Sequence, residues 1–169
     1  MVDDPLGELA QRLQDTCLAG GLTVTTAESC TGGLVAHAIT SRSGSSAYFL
    51  GGVVSYSNDV KASLLGVPLD VLATHGAVSA QVALAMASGV RSRLGSDLAV
   101  GVTGVAGPDG GTTEKPVGLV YVAVSDPAGV DVRRFHWEGD RAANIAESAA
   151  AALVMLLERA EATSAAAGR

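Results

Sequence analysis

The chain has 169 residues, 48% of them hydrophobic and 17% charged, with 21 glycines and a formal net charge of −6. Its length suits one domain of the usual ~100–200 residues, and its apolar content with sparse charge excludes a disordered chain. No apolar run reaches the ~18 residues of a membrane span, and no Lys/Arg run exceeds Arg133-Arg134, so a general nucleic-acid binder is excluded while a single phosphate is not.

The first residues, MVDDPLGELAQ, lack the cationic and apolar regions of a secretory signal, so the chain is expected in the cytoplasm. In residues 5–19, Leu6, Leu9, Leu13 and Leu18 fall near one stripe, predicting a helix opened by Pro5 and ended by Gly20-Gly21. Residues 22–27 alternate as a strand; after the turn ESCTGG, residues 33–40 read as a second helix. SRSGSS (41–46) is a loop by composition, and 48–57 is the longest strand, interrupted by Gly51-Gly52. Asn58 is placed to cap a short helix closed by Gly66, and Pro68 opens another ending at Gly76. Ser79 caps a long helix with Val82, Ala85, Met86 and Val90 at helical spacing. Residues 97–104 form a strand and 105–116 a glycine-rich loop. Residues 117–125 and 130–138 are strands joined by the turn DPAG, an antiparallel hairpin. Asp140 caps a last helix to about Arg159, with residues 161–169 expected as a flexible tail. The fold class is therefore α/β. One domain spans residues 1–169, with its core at about 5–160. It is a three-layer α/β/α sandwich around a mixed sheet of about five strands.

Four polar islands interrupt this pattern. In Glu28-Ser29-Cys30-Thr31-Gly32-Gly33, a serine sits between a strand and a helix, where amides and the helix dipole favour an anion; an ordinary Ser/Thr cap is the alternative. Gly44-Ser45-Ser46 is a loop that carries hydroxyls. In Tyr56-Ser57-Asn58-Asp59-Val60-Lys61, the lysine lies near a helix start, which opposes its charge and suits it to act as a base, unless it is a solvated surface lysine. Thr103-Gly104-Val105-Ala106-Gly107 begins a loop able to approach a ligand, but it matches neither a P-loop nor a dinucleotide fingerprint. His37, His75 and His136 are isolated, and Cys17 and Cys30 are too few for a disulfide framework or a Cys-based zinc site. If a serine is activated, lysine is the better-placed base.

AESCTGG (27–33), SGSS (43–46), GGVVSYSNDVK (51–61), LLGV (64–67), HGAVS (75–79), VTGVAGPDGGT (103–112) and KPVGLVYVAV (115–124) follow in order. Together, over about residues 6–157, they resemble the C-terminal domain of the competence/damage-inducible protein CinA. Single-domain members of that family are nicotinamide-nucleotide amidohydrolases. Many relatives add an N-terminal molybdopterin-binding-like domain, which this chain is too short to hold, so it resembles the stand-alone form.

The resemblance implies hydrolysis of nicotinamide mononucleotide to nicotinic acid mononucleotide and ammonia, with no metal or other cofactor and a serine–lysine mechanism. It places Ser29 and Lys61 on the dyad positions, and Ser46 and Tyr56 on other polar positions of the same pocket. Thr103, Gly104, Ala106 and Gly107 fall on its substrate loop, and Arg141 on an arginine at the start of the last helix. The expected partner is the small nucleotide, with neither nucleic acid nor membrane. Amides of the Cys30-Thr31-Gly32 turn, before Gly33, are expected to hold the oxyanion, and Tyr56 or Ser46 to relay a proton to ammonia. Either Ser29 or Ser46 serves as nucleophile. Hydrolysis of another amide and a non-catalytic nucleotide-binding module are the competing readings. A hairpin at a sheet edge and alanine-rich helices point to a homo-oligomer. The glycines at 32–33, 51–52, 104, 107 and 110–111 are expected beside the pocket.

Overall fold

The structure, a computed structural model, describes residues 4–168. Helix α1 (Pro5–Gly20) starts where the Asp4 carboxylate accepts the Gly7 amide at 2.9 Å, and stops at Gly21 in the left-handed conformation. Strand β1 (Val24–Glu28), helix α2 (Leu34–Thr40) and strand β2 (Phe49–Val54) follow. Then come α3 (Asn58–Leu65), α4 (Leu69–His75), α5 (Ala80–Leu94) and β3 (Leu98–Gly104). The hairpin β4 (Leu119–Asp126) and β5 (Gly129–His136) leads into α6 (Arg141–Ala167).

The five strands lie in the order β2-β1-β3-β4-β5. β1 runs parallel to both β2 and β3, whereas β4 is antiparallel to β3 and to β5. The mixed sheet and the helical layers on both of its faces are as expected. Val24, Leu98, Val100, Val102, Val120, Val122 and Val124 face α1, α2 and α6, where Leu13, Ile39, Leu153 and Leu156 complete the main core. The opposite face is built from small residues. Ala27, Ala99 and Ala123 meet α5 there. At Gly101 an added Cβ would lie 2.6 Å from the Ala83 carbonyl oxygen and 2.8 Å from the Ala87 nitrogen. Small side chains let α5 lie low on the sheet, and the valines of the other face fill the space beneath three helices.

Some boundaries differ from the sequence reading. The α3 cap is Ser57, whose Oγ accepts the Val60 amide at 3.2 Å, so Asn58 is the first helical residue. β2 ends at Val54 because Ser55–Ser57 already turn toward α3. Residues 161–167 belong to α6 rather than to a tail. That stretch is rich in alanine, the best helix former, and the helix packs along α1, with Ala160 buried. Among the described residues, no helix is long and apolar enough to cross a membrane.

Candidate active site

The parallel strands β2, β1 and β3 all end on the same edge of the sheet, the place where open α/β sheets bind ligands. Glu28 is in register with Val54 on one side and Val102 on the other. One residue further on, the Ser29 amide donates to the Val102 carbonyl at 2.9 Å and the Ser55 amide to the Glu28 carbonyl at 2.7 Å. Ser55, Ser29 and Thr103 therefore form a row across three strand ends. Strand alternation puts them on the side of α5, the side that Val53, Ala27 and Ala99 already face.

Lys61 closes over this row. It sits in the first turn of α3 and is only 1% exposed. Its Nζ lies 2.9 Å from Ser29 Oγ, donates to the Ser55 carbonyl at 2.7 Å and is 3.4 Å from the Tyr56 carbonyl. Burial lowers the Lys61 pKa from its ordinary 10.5, against an opposing effect of Cys30. The positive end of the α3 dipole acts in the same direction as burial. A neutral amine has two N–H groups and one lone pair. As an ammonium, Lys61 donates to Ser29 Oγ and to the two backbone carbonyls; in the neutral form, with its N–H groups on the carbonyls, its lone pair would turn to the Ser29 hydroxyl. Cys30 does not compete as a nucleophile: burial above all pushes its thiol up to about 12, which keeps it protonated at neutral pH.

The pair opens into a cleft of about 210 Å³ lined also by Tyr56, Ala77, Val78, Thr103, Gly104, Ala106 and Arg141. Arg141 and Ala106 are shared with a neighbouring groove of about 560 Å³ that runs along Pro108, Val117 and the start of α6. Arg141 ties the two together. Its Nη1 donates to the Gly107 carbonyl at 2.6 Å and its Nη2 to the Tyr56 hydroxyl at 3.2 Å. The Tyr56 ring stands exposed at the mouth, while its backbone contacts the lysine.

Three expectations are corrected. Ser46 is not in this pocket within the chain. It lies in a short 3-10 turn ahead of β2, and because β2 is parallel to β1 its start pairs with Val24, at the opposite end of the sheet from Ser29. Five residues of strand at ~3.3 Å each put about 16 Å between those ends. The amides ahead of α2 are mostly engaged by the chain itself. The buried Glu28 carboxylate accepts from Gly33 at 3.1 Å, Val35 at 3.1 Å and Ala36 at 2.9 Å, and Gly32 donates to the Ser29 carbonyl at 3.1 Å. Among the described residues, the Cys30 and Thr31 amides of that turn donate to no backbone carbonyl and to no carboxylate. Nor do all the glycines serve the pocket. Gly52 packs on Thr26 and Ala36, and Gly104, although it lines the cleft, lacks a Cβ because one would meet Leu119 O at 2.7 Å on the adjacent strand.

The sequence reading missed three contributors. Ser55 supplies the carbonyl closest to Lys61, and Ala77 accepts a hydrogen bond from Thr103 Oγ1 at 2.7 Å. Asn144, 1% exposed and one helical turn beyond Arg141, donates to the Ala106 carbonyl at 3.1 Å and accepts the Gly139 amide at 3.0 Å. Its spacing of three from Arg141 on an apolar helix was the available signal.

The family model of the CinA C-terminal domain matches residues 6–160. The chain is 57% identical over 134 residues to a CinA-like protein of Geobacter sp. (strain M21), a match covering 79% of this chain and 32% of that protein. To a CinA-like protein of Geobacter sulfurreducens it is 55% identical over 139 residues, 82% of this chain and 34% of that one. The chain thus spans about a third of the length of these curated relatives. Among solved structures it is similar to a competence/damage inducible protein of Agrobacterium tumefaciens, with a TM-score of 0.90 at 44% identity over 94% of this chain and 97% of that one. It is also similar to a competence-damaged protein (CinA) superfamily member of Escherichia coli, with a TM-score of 0.88 at 32% identity over 93% of this chain and 92% of that one.

Proposed function

The chain belongs to the CinA C-terminal domain family, and from that premise we propose that it is an amidohydrolase that converts nicotinamide mononucleotide to nicotinic acid mononucleotide and ammonia. The observation that carries this reading is the buried Ser29–Lys61 pair, with the amine nitrogen oriented by two backbone carbonyls. The strand-end location and the nearby cleft support it. It is a reaction on a free small nucleotide, in the cytoplasm.

In this mechanism Ser29 Oγ attacks the carboxamide carbon as its proton passes to the Lys61 lone pair. The oxyanion that forms is held by the Cys30 and Thr31 amides, two fixed donors in a water-poor site. The C–N bond breaks as the Lys61 ammonium returns its proton to nitrogen, and ammonia leaves. An ester now joins the nicotinoyl carbon to Ser29. Water attacks this ester, Lys61 takes the water proton, and the C–O bond to Ser29 breaks with that proton restoring the hydroxyl. Acid and ammonia are the products, and the enzyme is regenerated. The Tyr56 hydroxyl, held by Arg141 at the mouth, is placed to relay protons to solvent, and Arg141 supplies positive charge for the phosphate.

The test is direct. Purified protein is incubated with nicotinamide mononucleotide, and ammonia and nicotinic acid mononucleotide are quantified. Equimolar release of both, abolished in Ser29→Ala, is expected. No release above a protein-free blank, by a protein that is folded, overturns the reading.

A further inference from the structure

Thr103, near the end of β3, has a feature that its place in the sheet does not explain. Its side chain is 1% exposed and lines the cleft. Its Oγ1 donates to the Ala77 carbonyl at 2.7 Å. A threonine hydroxyl has one hydrogen and two lone pairs. With that hydrogen directed at Ala77, Thr103 presents only acceptor capacity to the cleft. It stands beside Ser29 on the neighbouring strand, on the same face, at the ~4.8 Å spacing of paired strands.

Resting on the amidohydrolase reading, we propose that Thr103 is the group by which this site tells a carboxamide from a carboxylate. A carboxamide offers an oxygen acceptor and two N–H donors, whereas an ionised carboxylate offers acceptors alone. With the carbonyl oxygen directed at the Cys30 and Thr31 amides, the amide nitrogen of a substrate attacked by Ser29 turns toward the Thr103 lone pairs and donates to them. In the product an anionic oxygen takes that position and meets the same lone pairs. A buried site that must hydrogen-bond an N–H rejects the analogue lacking it, because its own acceptor is then left facing another acceptor. Thr103 thus orients the scissile C–N bond before attack and weakens the hold on the acid afterwards.

The experiment separates this role from both the reaction and the Ala77 tie. Dissociation constants for nicotinamide mononucleotide and nicotinic acid mononucleotide are measured by calorimetry on Ser29→Ala, which cannot turn the amide over. They are then measured on the same background with Thr103→Ser or Thr103→Val. The amide is expected to bind tighter than the acid to Ser29→Ala. Thr103→Ser is expected to keep that ratio, and Thr103→Val to shrink it by about tenfold or more. A purely structural link between β3 and Ala77 would weaken both ligands alike and leave the ratio unmoved, which overturns the proposal. Should Thr103→Val not fold, the Ser29→Ala ratio alone decides: acid binding as tightly as amide overturns it. Ammonia release by the wild-type chain reports on the amidohydrolase reading separately. If release is normal and the ratio is insensitive to Thr103, only this inference falls; if there is no release, both fall.

Discussion

The two ends of the sheet carry similar residues and use them in opposite ways. At the end where β1 starts, Thr23 donates through both its amide and its hydroxyl to the Asp97 carboxylate, each at 2.8 Å, and Asp97 returns its amide to Thr23 Oγ1 at 3.0 Å. Thr25 and Ser96 hydroxyls pair at 2.7 Å, and Ser96 also donates to the Leu98 carbonyl at 2.8 Å. Every one of these groups is closed within the protein. At the opposite end, Ser29, Lys61 and Thr103 are also buried, but they border a cleft, to which Ser29 presents its hydroxyl oxygen and Thr103 its acceptor capacity. Hydroxyls and a charge in a buried row are thus not what marks a site. Unpartnered hydrogen-bonding capacity aimed at a cavity does.

The largest effect that tests this contrast is Ser29→Ala, which removes the proposed nucleophile from the open end. Turnover of nicotinamide mononucleotide is expected to fall at least ~10³-fold, because the hydroxyl has no substitute and the neighbouring thiol stays protonated. Circular dichroism and the melting temperature are expected to be unchanged within a degree or two. Activity within tenfold of wild type would remove Ser29 from the chemistry.

Lys61→Met comes next, at ~10²–10⁴-fold in kcat/KM, the usual weight of a general base. In the proposed mechanism the active form is the neutral amine, so wild-type kcat/KM is expected to rise with pH and level off above the Lys61 pKa, which burial places below the ordinary 10.5. Stability has its own signature. Between the lowered native pKa and 10.5 the unfolded chain holds a proton on Lys61 that the folded chain does not, so stability falls as pH drops through that window. Methionine carries no such penalty. Its melting temperature is expected to match or exceed that of wild type at neutral pH, with the gap closing as pH rises toward 10.5. A variant less stable at neutral pH than at high pH, relative to wild type, contradicts the burial argument.

The closed end is expected to respond in stability alone. Asp97→Ala leaves the Thr23 amide and hydroxyl without their acceptor and is expected to cost about 1–3 kcal/mol in urea unfolding, with kcat/KM per folded molecule near wild type. A loss of activity without a loss of stability would erase the division between the ends.

The order of helices and strands was legible because caps and periodicity are local. Pro5, Gly21, Ser79 and Asp140 sit at element ends as their chemistry dictates. The site was legible through the motif resemblance and only partly through the residues themselves. Lys61 near a helix start is visible in the sequence, but its contact with Ser29, 32 residues away, exists only once β1 and β2 pair in register. The three amides held by Glu28 were hidden for a related reason. Alternation turns Glu28 to the α2 side of the strand and its neighbour Ser29 to the α5 side, so two adjacent polar residues serve a helix and a cleft respectively. The motif resemblance alone puts Ser46 in the pocket, and its misplacement shows only once β2 is seen to run parallel to β1.

That misplacement supplies the smallest and most discriminating prediction. Within one chain, Ser46 precedes β2 at the closed end and has no route to Lys61, whose contacts are the Ser29 hydroxyl and the Ser55 and Tyr56 carbonyls. Ser46→Ala is therefore expected to keep kcat/KM within about threefold of wild type, the scale of a surface substitution that removes no buried partner. The measurement is made across protein concentration in the same ammonia assay. A hundredfold loss, with the fold intact, would mean that the closed end of one copy completes the open end of another. The contrast between the two ends would then hold for the single chain and fail for the assembly.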